Sequence, residues 1–177
     1  MEIQEVKQLF YSYRNGIVAD CLRRAGDPHH VIFGLNLPQL VQIAQEVGTN
    51  ANLADQLWSN DSSRECRLLA PMVYPRDEYG QDKAVEWARS VKCVEEADIL
   101  CHRLLRYLDY AQPLCFQLYA IGTDLLRYTA LRLALNLSVL SNLSDIEKVR
   151  TMAQTEQKRN CELTAALTLS LLEDLNG

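Results

Sequence analysis

Glycine and proline are scarce in this sequence. Its 177 residues include seven glycines and five prolines, and no stretch concentrates them with serine. Linkers and disordered tails are rich in these residues, so we expect residues 1–177 to fold as a single domain. No apolar run approaches the ~20 residues of a membrane span, and the N-terminus lacks the basic start and apolar core of a signal peptide. The sequence therefore predicts a cytoplasmic protein with no membrane partner.

Closely spaced cysteine motifs are also missing. The six cysteines are scattered without CxxC spacing, and five of them lie on the apolar side of helical patterns. This distribution favours reduced, buried thiols over a disulfide framework. Cys93, Cys101 and His102 suggest a metal site, but no fourth ligand has the usual spacing, and adjacent Cys101 and His102 point about 100° apart on a helix, which disfavours a Cys–His nucleophile. Glycine-rich nucleotide-binding motifs are absent as well, so we expect no metal and no cofactor.

The sequence has an excess of negative charge. Its formal net charge is −5, with a pI near 5.2, so the protein as a whole repels polyanions. A nucleic-acid role therefore requires a local basic face, because affinity for nucleic acid depends on phosphate neutralisation. Six residues are candidates for such a face: Arg64, Arg67, His102, Arg103, Arg106 and Arg127. The alternative is ordinary solvated helix surface, on which basic residues are favoured toward the C-terminal end.

Apolar residues recur at helical intervals along almost the whole chain, and strand-like alternation is absent. Residues 125–140 are apolar on every side, which predicts a helix enclosed by its neighbours. Asn36 is placed to cap a helix that ends at Gly48. The patterns Ser62-x-x-Glu65 and Ser144-x-x-Glu147 each predict a capping box at a helix start.

These signals predict an all-α fold of short helices joined by short connections. Such a chain forms either a helical bundle or an α-α superhelix, a solenoid in which each antiparallel helix pair buries its apolar face against the next. The eleven predicted helices cover residues 3–14, 16–25, 37–47, 51–58, 62–73, 81–91, 95–109, 112–121, 124–140, 144–158 and 160–175.

One part of the sequence resembles a known family. The segment 33–48, followed by Leu53–Trp58 and Arg64–Ala70, is similar in order and spacing to signature helices of the DNA alkylation repair family. A weaker, collinear similarity runs from Trp87 to about Ala134. The family consists of alkylpurine DNA glycosylases built from HEAT-like repeats, so the resemblance implies a HEAT-like solenoid with double-stranded DNA as partner.

The resemblance also implies what the chain has lost. The family has a helix that begins tryptophan-aspartate-x-x-aspartate, in which the tryptophan helps form a cleft for the cationic base and the second aspartate stabilises developing positive charge. Here the tryptophan is replaced by Ala97 and the second aspartate by Cys101. Asp98 matches the first aspartate and is the remaining catalytic candidate. Beside Glu95 and Glu96, Asp98 also fits an acidic first turn that complements the helix dipole.

Three hypotheses follow. The first is a catalytically degenerate HEAT-like protein that binds DNA or another macromolecule on its concave face. The second is an active alkylpurine glycosylase that uses Asp98 with Arg127, the remaining member of the family's paired arginines, in an altered cleft. The third is a protein–protein adaptor with no nucleic-acid role, which suits the acidic pI. Within the motif Arg64-Glu65-x-Arg67, we expect structural pairing rather than substrate contact.

Overall fold

The computed structural model describes residues 1–176, which form eleven α-helices and two short 3-10 turns. Apart from a single bridge between Val31 and Ser63, these residues contain no β-structure. The prediction of an all-α fold is therefore confirmed. The helices are α1 (Ile3–Ser12), α2 (Gly16–Arg24), α3 (Leu37–Val47), α4 (Ala51–Ser59), α5 (Arg64–Val73), α6 (Gln81–Ser90), α7 (Val94–Arg103), α8 (Ala111–Ile121), α9 (Asp124–Val139), α10 (Ile146–Arg159) and α11 (Glu162–Asn176).

The chain groups into two compact units, Met1–Tyr79 and the residues from Gly80 onward. In the first unit, α5 packs against α3 and α4 and is buried along almost its whole length. In the second unit, α9 packs against α7, α8 and α11. Connections of two to four residues join α4 to α5, α8 to α9 and α10 to α11, as expected for antiparallel neighbours.

Helix α9 is the centre of the second unit. Eight of its side chains are buried, including Leu131, Leu133 and Ala134, which are completely inaccessible to solvent. Because these three residues point in different directions around the helix, α9 needs neighbours on several sides. The prediction of an enclosed helix at residues 125–140 is therefore confirmed.

Helix α3 begins and ends as predicted. The side chain of Asn36 accepts a hydrogen bond from the Gln39 N–H at 3.0 Å, and the Gln39 side chain accepts one from the Asn36 N–H at 2.9 Å. This reciprocal pair satisfies two backbone donors of the first turn. Gly48 follows the last residue of the helix with a positive φ of 71°.

The two other predicted capping boxes are wrong. Helix α5 has Ser63 at its N-cap without a side-chain cap, because the Glu65 carboxylate binds backbone groups elsewhere in the first unit. Helix α10 is capped by Asp145, while the Ser144 N–H donates to the Gln112 side chain at 2.7 Å. In both cases a distant partner replaces the local contact that the sequence pattern predicts.

The predicted helix 95–109 is interrupted. Helix α7 ends at Arg103, Leu104 leaves helical geometry with φ −128°, and Leu105–Tyr107 form a 3-10 turn. Leu104 and Leu105 remain completely buried across the break. The interruption places Arg103 at the end of α7 and Arg106 within the turn.

Burial of the cysteines is mixed. Cys66, Cys101 and Cys115 are buried, Cys93 and Cys161 are partly exposed, and Cys21 is exposed. The prediction of buried thiols therefore holds for three of them.

No helix within residues 1–176 combines the length and the apolar character needed to cross a bilayer.

Candidate nucleic-acid interface

Glu65 attaches the loop before α3 to helix α5. Its fully buried carboxylate accepts hydrogen bonds from the backbone N–H groups of residues 33–35 at 2.9–3.3 Å and from Arg64 Nη1 at 3.0 Å. Arg64 in turn donates to the Leu35 carbonyl at 3.2 Å. Gly34, with φ +80°, passes so close to α2 that a Cβ there would lie 2.2 Å from the Asn15 carbonyl oxygen. Arg64 and Glu65 thus hold the loop at residues 33–35 in place within the first unit.

Arg67 is among the largest of the almost completely buried side chains. Only 2% of its surface is exposed; its Nη1 donates to the Trp58 carbonyl at 2.9 Å and its guanidinium lies 3.6 Å from the centre of the Trp58 ring. Like Arg64, it is used inside the first unit, where a DNA phosphate has no access. This geometry favours the structural interpretation of the Arg64-Glu65-x-Arg67 motif, in which neither arginine contributes to a DNA-binding surface.

Four basic side chains come together in the second unit, and we call them the basic cluster: His102, Arg103, Arg106 and Arg132. His102 and Arg103 end α7, Arg106 lies in the 3-10 turn, and Arg132 comes from α9. Burial lowers the pKa of His102, and the charges of Arg106, Arg103 and Arg132 lower it further, against the opposing effect of Asp98. The arginines are therefore close enough to the imidazole to disfavour its protonation.

Arg103 and Arg106 have no carboxylate partner within 4 Å among residues 1–176. The Nε atom of each is buried and makes no hydrogen bond in this part of the chain. Arg106 Nη2 donates to the Tyr107 hydroxyl at 2.6 Å, and the Tyr107 side chain lies on the surface, with the residue 42% exposed. The uncompensated Arg103 and Arg106 guanidinium groups are suited to phosphates, and the exposed Tyr107 ring beside Arg106 is suited to unpaired bases.

Asp98 is paired within the same region. Its Oδ1 lies 2.7 Å from Arg132 Nε and accepts a hydrogen bond from the Tyr128 hydroxyl at 3.0 Å, and its Oδ2 lies 3.4 Å from Arg132 Nη2. Arg132 Nη2 also donates to the Tyr128 hydroxyl at 3.0 Å. Burial works to lower the pKa of Arg132, but the Tyr128 hydrogen bond and the Asp98 charge outweigh it and raise that pKa. The catalytic candidate from the sequence is thus an ion-pair partner.

The two positions that the family resemblance aligns with catalytic residues lie in the core. Ala97 and Cys101 are completely buried, and the Cys101 thiol donates to the Thr129 carbonyl at 3.4 Å. Burial raises the pKa of the Cys101 thiol well above its usual range, and the nearby Cys115 and Asp98 add to this effect. Neither position offers an aromatic face, a carboxylate or an accessible thiol.

Arg127 belongs to a different group of side chains. Its guanidinium lies 5.4 Å from the centre of the Tyr119 ring, and the Tyr119 hydroxyl donates to Glu156 at 3.0 Å. Glu156 also binds Arg159, which reaches Asp124 at 2.9 Å. The hydrogen bond from Arg159 is the main cause of the lowered pKa of Asp124, and the charge of Arg127 lowers that pKa further. Carboxylates therefore compensate the positive charge here, unlike at Arg103 and Arg106.

Sequence reasoning missed Tyr107 and Arg132. Tyr107 is adjacent to Arg106, and an aromatic residue beside an arginine is a signal that was available. Arg132 had no such signal, because only the packing of α7 against α9 brings it to His102.

No group of three or more His, Cys, Asp or Glu side chains within residues 1–176 is arranged to hold a metal ion.

The helix pairs define the class of the protein, and comparison with solved structures agrees. The fold is that of a HEAT-like helical-repeat protein: it superimposes with a TM-score of 0.85 on a member of "a new family of proteins related to the HEAT-like repeat DNA glycosylases with affinity for branched DNA structures". The two share 15% sequence identity, over 99% of this chain and 76% of the other, so this likeness concerns the fold. The sequence itself matches the DNA alkylation repair enzyme family over residues 6–165, and the chain belongs to that family. No curated protein matches it.

Proposed function

We propose that this protein is a DNA-binding member of the family that does not excise bases, and that it binds DNA phosphates through Arg103 and Arg106 of the basic cluster. The observation that carries the proposal is the presence of Arg103 and Arg106, without carboxylate partners, beside the exposed His102 and Tyr107. The chain as a whole carries a net charge of −5, so a local excess of positive charge is needed for DNA to bind, and this cluster supplies it.

Branched DNA is the form we propose as the preferred ligand. The family of the superimposed structure is described as having affinity for branched DNA structures. At a branch point, phosphates of more than one duplex converge and bases are less completely stacked. Clustered guanidinium groups suit the first property, and an exposed aromatic ring such as Tyr107 suits the second, because aromatic side chains stack on unpaired bases. Binding on the concave face of the helix stack remains a prediction.

The absence of base excision is inferred from what the aligned positions contain. Release of a cationic alkylated purine depends on aromatic faces around the base and on a carboxylate directed at the sugar. Ala97 and Cys101 are in the core. For Asp98 to act instead, its carboxylate has to leave Arg132 and Tyr128. The active-glycosylase hypothesis therefore requires a rearrangement that the degenerate hypothesis does not.

Two assays on the same preparations test the proposal, one of DNA binding and one of base excision. Dissociation constants for a four-way junction and a linear duplex of the same composition are measured across a salt series, for the wild type, for the R103Q/R106Q double variant, and for K158Q, which removes an exposed lysine of α10. We expect the double variant to bind the junction at least about tenfold more weakly, with a salt slope shallower by about 1.8, since each phosphate contact contributes about 0.9. K158Q should differ from the wild type by less than about twofold, in line with one charge outside the cluster.

Three outcomes contradict the proposal. Junction binding that is unaffected by R103Q/R106Q removes the basic cluster as the DNA interface. Absence of junction binding in the wild type contradicts DNA binding itself and favours the protein–protein adaptor. Release of N3- or N7-alkylated purines from duplex DNA at a rate well above the protein-free control shows that the chain is an active glycosylase. A D98N variant then tests whether Asp98 is the catalytic carboxylate.

A further inference from the structure

The Asp98–Arg132 contact fills one of the two guanidinium edges through which arginine binds phosphate. Arg binds phosphate best through two parallel hydrogen bonds from one edge of its planar group. In Arg132, the Nε–Nη2 edge faces the Asp98 carboxylate, at 2.7 and 3.4 Å. The other edge shares Nη2, which donates to the Tyr128 hydroxyl at 3.0 Å. A phosphate therefore reaches Arg132 through two hydrogen bonds only if a protein partner leaves.

We propose that Arg132 is a further phosphate-binding residue of the interface, and that Asp98 holds it back in the unbound protein. On DNA binding, a phosphodiester oxygen pair takes the place of the Asp98 carboxylate on the Nε–Nη2 edge. This inference rests on the proposed function, since it concerns the same DNA interface. The inference adds Asp98 to that function, as a residue that limits the affinity for DNA.

The surroundings permit this exchange. The Arg132 and Asp98 side chains are 28% and 39% exposed, so water and a phosphate have access to the pair. Partly exposed ion pairs contribute little to stability, whereas an arginine–phosphate contact with two hydrogen bonds is among the stronger polar interactions. Tyr128 is buried on the same helix as Arg132, one turn earlier, so its hydroxyl can keep the hydrogen bond to Nη2 when the carboxylate departs.

Arg132 also lies in the right place. Its charge acts on His102 together with the charges of Arg103 and Arg106, so a phosphate bound by the cluster is near Arg132 too. Asp98 is the acidic group that faces the same imidazole. Its carboxylate is therefore the local group that opposes a polyanion in this part of the second unit.

A double-mutant cycle on junction affinity tests the inference. The variants are D98N, R132Q and D98N/R132Q, with D98S as a second replacement in case the asparagine oxygen keeps the hydrogen bond to Nε. We expect D98N or D98S to tighten binding about three- to tenfold and to steepen the salt slope by about 0.9, as one additional phosphate contact requires. In the R132Q background, removal of Asp98 should change affinity by less than about twofold, because the arginine that it holds is gone.

The cycle separates release of Arg132 from simple repulsion. If Asp98 only repels phosphates, its removal has an equal or larger effect once Arg132 no longer neutralises it, and that result overturns the inference. Unchanged or weaker binding by D98N and D98S, in variants whose circular dichroism and Tm match the wild type, overturns it as well. R103Q/R106Q is measured in parallel. If that variant loses binding while D98N has no effect, the inference about Arg132 fails and the proposed function stands.

Discussion

The Cys101 thiol donates a hydrogen bond to the Thr129 carbonyl across the packed faces of α7 and α9, at 3.4 Å. The family resemblance places a catalytic aspartate at position 101. In this chain, that position is completely buried and has a partner that can only accept a hydrogen bond. An ionised carboxylate at this site would lie in the core without hydration, and the charge of Asp98 would repel it.

Restoring the family's aspartate should therefore damage the fold rather than revive catalysis. We expect C101D to lower the free energy of unfolding by about 3 kcal/mol or more, because a buried polar group loses its hydration. Urea denaturation followed by circular dichroism measures the change, and C101A serves as a control that removes the thiol without adding charge. Purine release by folded C101D would contradict both this expectation and the burial argument.

Loss of the Glu65 charge should destabilise the first unit. E65Q removes the closer of two buried carboxylates beside Arg64, the other being Asp27 at 3.8 Å, and it weakens three hydrogen bonds from the loop at residues 33–35. We therefore expect a loss of about 3 kcal/mol. E173Q, which neutralises an exposed glutamate on α11, is the matched control and should have almost no effect. An E65Q protein as stable as E173Q would show that the carboxylate is dispensable.

Gly34 should not tolerate alanine. The residue has φ +80°, and a Cβ would lie 2.2 Å from the Asn15 carbonyl oxygen and 2.8 Å from the Ala19 nitrogen. Since backbone atoms cannot easily move aside, we expect G34A to lose at least about 2 kcal/mol of unfolding free energy. Gly16, at the start of α2, has no atom within 4 Å of its Cβ position. G16A should therefore change stability by no more than about 1 kcal/mol, and thermal unfolding of the two variants side by side checks the contrast.

DNA binding should strengthen as the pH falls below neutrality. In the free protein, burial and the charges of Arg106, Arg103 and Arg132 lower the pKa of His102, while Asp98 opposes them. A bound phosphate favours the protonated imidazole, so the pKa rises on binding and protons are taken up between the free and bound values. Junction titrations from pH 8 to 5.5 should show this gain in the wild type. In H102Q the gain should be smaller, and an identical pH profile in H102Q would assign the effect to another group.

Periodicity made the helices predictable. The all-round apolar pattern of residues 125–140 led directly to α9, and Asn36 and Gly48 marked the ends of α3, because each signal depends on neighbours within one helix. The signals at Ser62 and Ser144 failed for the opposite reason. Glu65 binds groups about thirty residues away, and Ser144 binds Gln112, so long-range contacts replaced the local capping that the pattern describes.

The candidate site was predictable only in part. His102, Arg103 and Arg106 are close in sequence, and their position off the apolar stripe could be recognised from helical geometry. Arg132 and Asp98 are separated by a third helix in the sequence, and nothing local to either residue indicates that they pair. Arg64 and Arg67 carried the same charge signal as the others, but their burial depends on Glu65 and Trp58, whose contacts only the folded chain reveals.

Glu65 gives the first unit a particular mode of unfolding. The backbone N–H groups of residues 33–35 have their acceptor on α5, so the loop cannot open while the carboxylate stays in place, and α5 cannot leave without exposing three amides and a buried arginine. Loop and helix should therefore open in the same event, and hydrogen exchange at these three amides should proceed at the rate of the α5 interior instead of at the faster rate typical of surface loops.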